Sequence, residues 1–90
     1  MQAWWADHLA LLAALQVRHR AAALLSGYAD AVYARSDDTR EVNETRSVER
    51  ALAIARDALG AVEVERLRAQ GALLRDADVD ALAFAGEDVP

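Results

Sequence analysis

No proline interrupts the chain before its last position, and the four glycines, Gly27, Gly60, Gly71 and Gly86, stand far apart. Long stretches rich in alanine and leucine, strong helix formers, therefore run without the breakers that would turn them into hairpins or a flexible linker. The sequence predicts an all-α protein of close-packed helices. Ninety residues suit one small domain. A domain of that size hides a modest share of its unfolded surface, so a neighbour would add to its stability.

The first helix is the most informative. Trp5, Leu9, Leu12 and Gln16 fall at steps of four, three and four along WWADHLALLAALQ, which places them on one stripe, while Trp4, Leu11 and Leu15 form a second. A helix apolar on two sides is normally sandwiched between neighbours. Adjacent residues point about 100° apart on a helix, so the following helix alone cannot cover both Trp4 and Trp5. Trp4, Trp5, Leu11 and Leu15 are accordingly the candidate interaction residues, since tryptophan often anchors an interface.

Val17-Arg18-His19-Arg20 breaks the apolar pattern, which resumes through Ala22, Leu25, Ala29 and Val32. This reads as a tight turn and an antiparallel second helix, giving a hairpin over residues 3–35. Residues 36–42 form the clearly polar connection. Asn43 is the expected N-cap of a third helix, with Glu44 suited to its positive end and Gly60 placed to stop it. A fourth helix is expected over about residues 62–70, with Val64 and Leu67 inward and Gly71 closing it. A fifth, starting at Asp76 or Asp78, carries Val79, Leu82 and Phe84. The helices thus occupy residues 43–85 beyond the polar loop, and residues 86–90 are expected to fray. About five helices in antiparallel pairs, the first pair of tetratricopeptide length, predict a tetratricopeptide-like α-solenoid fragment.

Chemistry has little to stand on. The net charge of -5 and pI near 4.8 set the chain against phosphate backbones and anionic lipid surfaces, so neither direct nucleic-acid contact nor membrane binding is expected. The absence of cysteine removes disulfides, thiolate zinc ligands and a thiol nucleophile, and fits a cytoplasmic protein. The apolar run in the first helix is too short to span a bilayer. His8 and His19 would lie roughly 16 Å apart on one unbroken helix, too far for one metal ion. Asp37, Asp38 and Glu41 lack the spacing of a calcium loop, and Asp76, Asp78 and Asp80 are accounted for by the start of a helix. No phosphate loop, nucleophile elbow or His-Glu-x-x-His pair is present. The expectation is a non-catalytic protein with no cofactor and no metal.

The segments HRAAALLSGYADAVYA, REVNETRSVERALAIARDALG and VERLRAQGALLRDADVDALAFA carry a family resemblance. Through Arg20, Ala22, Leu24, Leu25, Gly27, Leu59, Gly60, Gly71 and Leu74 among others, the chain resembles the C-terminal end of bacterial transcriptional regulators built as signal-transduction ATPases. These are the winged-helix and LuxR-type regulators with tetratricopeptide-like arrays. The resemblance covers about residues 7–85. It departs at Ser26, where the family tends to have leucine, and Val17 stands where the tetratricopeptide repeat usually has glycine. It implies a protein-interaction or sensor module whose parent chain would carry the ATPase and DNA-binding domains upstream. The implied partners are the preceding repeats of that parent or a second copy, as a homodimer. The alternative is a free-standing helical protein acting as an obligate homodimer or an adaptor.

Overall fold

The computed structural model describes the backbone of residues 3–36 and 40–89, with side chains throughout those spans except at positions 3 and 4. Five helices follow one another: α1 (Ala3–Leu15), α2 (His19–Ser36), α3 (Val42–Leu59), α4 (Ala61–Gly71) and α5 (Asp76–Ala83). Among the described residues there is no strand. The all-helical expectation therefore holds, with five helices.

α2 is the central helix and touches each of the other four. Its sequence explains that position: every residue from Ala21 to Ala29 is buried, so the helix has no solvent face over this stretch. Six small residues, Ala21, Ala22, Ala23, Ser26, Gly27 and Ala29, make room for it. Ala21, Ala22 and Ala29 meet Ala6, Ala10, Ala13 and Ala14 of α1 in one core cluster, which Leu9, Leu25, Tyr28 and Val79 fill. Ala23 and Leu24 join Val48, Leu52 and Ala55 of α3 and Val64 and Leu67 of α4 in a second.

The contact between α2 and α4 is closer still. A Cβ on Gly27 would stand 2.0 Å from the Arg68 carbonyl oxygen, and one on Gly71 would stand 2.0 Å from that of Leu24. Two glycines thus let the backbones touch, and the pairing of 27 with 68 and 24 with 71 makes the helices antiparallel. Gly71, expected as the stop after the fourth helix, is its buried last residue and a packing position.

The helix ends differ from expectation at the start of α3 and at the end of α5, while Gly60 stops α3 as expected. α3 begins at Val42 with Glu41 as its N-cap, extended at φ -85° and ψ 174°, so Asn43 lies inside the helix. Arg40 is tied to Asp7 and Asp30, which fixes where the chain enters α3. Gly60 alone forms the corner from α3 to α4, at φ 86° and ψ 156°, a conformation open essentially to glycine only. α5 ends at Ala83, leaving Phe84 beyond it and 70% exposed.

The segment after α5 is engaged rather than loose. The Asp88 carboxylate accepts the backbone N–H groups of Arg20 (3.1 Å) and Ala21 (2.9 Å), supplying the cap α2 lacks locally. Val89 packs against both core clusters. In return, Arg18 donates from Nη1 to the Ala83 carbonyl at 3.2 Å and from Nη2 to that of Leu82, closing the C-terminal end of α5. The radius of gyration of 11.4 Å is close to the ~12 Å expected of a compact chain of this length.

Candidate interaction surface

α1 divides cleanly into two arcs. Ala6, Leu9, Ala10, Ala13 and Ala14 are buried against α2 and α3, while Trp5, Leu12 and Leu15 are 45%, 46% and 51% exposed on the opposite side. Spacings of seven and three residues put these last three on one face, with the half-buried His8 among them. Leu11, expected at the interface, is half-buried and packs against the α1–α2 core. The side chain of Trp4 lies outside the described residues. Of the four residues singled out in the sequence, Trp5 and Leu15 share the exposed face. Leu12, assigned to the same stripe as the core residue Leu9, is the member that sequence reading passed over: a small rotation of the helix separates the two.

The turn after α1 extends this face. Val17 has φ 64° and is 70% exposed. The Arg18 N–H bonds the Ala13 carbonyl at 2.8 Å and the Val17 N–H bonds that of Ala14 at 3.1 Å, the paired bonds of a Schellman helix ending. A β-branched residue thus occupies the left-handed position that glycine usually takes, at a cost of about 1–2 kcal/mol.

Beside Leu12 a groove of about 490 Å³ runs between the ends of α1 and α5, lined by Leu12, Gln16, Arg18, Ala83, Phe84, Ala85 and Gly86. Its outer wall is the exposed Phe84. The apolar face of α1 is therefore continuous at Leu12 with a second apolar element from the other end of the chain.

Behind this surface α1 is anchored by charge. Asp7 is fully buried, and Arg40 grips it through Nε and Nη2, both at 2.9 Å, while its Nη1 reaches Asp30 at 2.5 Å. The Arg40 guanidinium also lies 4.6 Å from the Tyr33 ring centre, and Arg68 pairs with Asp30 from α4. Burial, then the charge of Asp7 and a hydrogen bond to it, pushes the Tyr33 hydroxyl up to about 12. Tyr28 is likewise pushed up to about 12, by burial first and then by its hydrogen bond to Asp76, which in turn holds the Asp76 carboxyl below its usual range. These pairings join α1, α2, α4 and α5 and leave the exposed arc free of charge-bearing side chains other than His8.

The two histidines sit apart in role. His8 Nδ1 lies 3.1 Å from the Ser47 hydroxyl and Nε2 lies 3.9 Å from Glu44, whereas His19 opens α2 with a buried Nδ1. Among the described residues, no three His, Cys, Asp or Glu side chains are grouped so that they could hold a metal ion. Asp37 and Asp38 lie outside the described residues. No described helix is long and apolar enough to cross a membrane. No known protein family, curated protein or solved structure matches the chain.

Proposed function

We propose that this chain is a non-catalytic helical interaction module, tetratricopeptide-like in its pairing of helices, from the C-terminal region of a bacterial transcriptional regulator of the signal-transduction ATPase type. The observation that carries the interaction role is the exposed arc of α1, where Trp5, Leu12 and Leu15 line up beside the exposed Val17. Contiguous apolar surface of this kind marks a protein contact. The regulator assignment rests on the motif resemblance alone. The antiparallel pair α1 and α2, with α3 laid against both, supports the solenoid reading.

In this reading the arc is covered by the preceding helical pair of the parent chain, or by the same arc of a second copy when the module stands alone. The module works inside the cell, without a cofactor and without touching DNA itself. It transmits the state of the array by shifting the population of contacts at this seam, since a ligand or partner acts only through its difference in affinity between two states. The experiment is to read the genomic DNA upstream of the Met1 codon. An uninterrupted frame encoding a phosphate-loop ATPase is the expected result. A stop codon followed by a ribosome-binding site would overturn the regulator assignment and favour the free-standing dimer or adaptor.

A further inference from the structure

Among the described residues, Arg18 is the most deeply buried arginine. It is 5% exposed, yet its hydrogen bonds go to two carbonyls of α5 and to Gln16 Oε1 at 3.1 Å, and it forms no ion pair with any described carboxylate. Two less deeply buried arginines are matched: Arg40 by Asp7 and Asp30, Arg68 by Asp30 and Glu65. The carboxylate that the fold brings to the start of α2, Asp88, is committed to the α2 amides and to the Val89 N–H. A guanidinium offers five N–H donors; three are used here, and the Nε–H is buried with no partner. A buried charge without a counter-charge is costly.

This guanidinium lines the groove between α1 and α5, whose other walls include Leu12, Ala83 and Phe84. A groove of about 490 Å³ that sets apolar side chains beside convergent polar groups suits a small amphipathic molecule. We propose that this groove binds a small monocarboxylate with an apolar body, its carboxylate paired with Arg18 and Gln16 and its hydrocarbon laid across Leu12 and Phe84. The remaining Nη2 hydrogen suits a carboxylate oxygen, a charge-assisted hydrogen bond. Gln16 supplies a side-chain N–H₂ beside it. The inference goes beyond the docking role: the groove shares Leu12 with the α1 arc, but Trp5 and Leu15 lie outside it.

The test is an NMR titration of the 90-residue chain with octanoate below its micelle-forming concentration, against octanol and acetate. Octanoate is expected to shift the backbone amides of Leu12, Gln16 and Phe84 saturably, with a Kd of roughly 1 mM or tighter for a ligand of this size. Octanol, which lacks the charge, should bind at least about 10-fold more weakly, and acetate, which lacks the body, should not saturate. Phe84→Ala removes an exposed wall without touching the core and should weaken octanoate several-fold. Because Arg18 also closes α5, Arg18→Lys is read only after its spectrum shows the native fold; it keeps the charge but loses the planar donor set, and should weaken octanoate several-fold while leaving octanol unchanged. Equal affinity for octanol and octanoate, octanoate shifts that do not saturate, or undiminished binding in Phe84→Ala or in folded Arg18→Lys would each overturn the proposal.

Discussion

At the scale of single residues, the structure turns on side chains held where their chemistry is disfavoured. Val17 takes a left-handed conformation at φ 64°, and Val17→Gly should relieve it. Glycine gives back part of the gain through its freer unfolded chain, so the net stabilisation is about 0.5–1 kcal/mol, a rise in Tm of roughly 2–8 °C by calorimetry. An unchanged or lower Tm would mean that the valine side chain makes up the strain through contacts of its own. The sequence showed that glycine is missing from this position in the repeat pattern; it could not show that the backbone would keep the glycine-like turn regardless. The tyrosines provide a second test. Tyr28 and Tyr33 are pushed up to about 12 from an ordinary 10.0, so between those values the folded chain holds protons that the unfolded chain has lost. Stability is thus fully present below pH 10 and declines as pH rises through about 12. Tyrosinate absorbance should appear near pH 12, together with loss of helical circular dichroism. Ionisation of both tyrosines near pH 10 in a still-folded protein would contradict the burial assigned to them.

At the scale of helices, the decisive feature is the backbone contact of α2 with α4. In an exposed helix Gly→Ala would stabilise by about 1 kcal/mol. At Gly71 the new Cβ would meet the Leu24 carbonyl at 2.0 Å, and such a clash must drive the helices apart. Gly71→Ala should therefore destabilise the protein by about 2 kcal/mol or more in urea unfolding, whereas a neutral or stabilising result would place α4 further from α2. This contact also marks the limit of what the sequence could tell. Periodicity located all five helices because each buries a stripe of apolar residues, and the polar interruption at residues 17–20 located the first turn. The same periodicity gives no information on which helices touch. Glycine near a predicted helix end reads as a stop, so the packing role of Gly71 was hidden. The start of α3 was displaced for a similar reason: Asn43 is the better local cap, but Arg40 is held by Asp7 thirty-three positions earlier, and that tertiary anchor determines where the helix begins.

At the scale of the molecule, the two ends of the chain close on one another. Asp88 caps α2 and Arg18 closes α5, so a tail that reads as loose from its polar residues is part of the core assembly. That closure places Phe84 next to Leu12 and creates the groove, which joins residues about seventy positions apart and carries no local sequence signal. The α1 arc was more legible: two adjacent tryptophans on a helix apolar on two sides already called for a partner. Leu12 escaped because a stripe drawn through Leu9 cannot tell which edge faces the core. The proposed role of this arc as an interaction surface is open to a direct test. Light scattering of the isolated chain over a range of concentrations, compared with a Trp5→Ala, Leu15→Asp double variant, tests it most directly. The chain should exceed its monomer mass of 9.8 kDa as concentration rises, and the double variant should stay monomeric with its helical content intact. A chain that remains monomeric throughout, or a double variant that associates as the parent does, would contradict it.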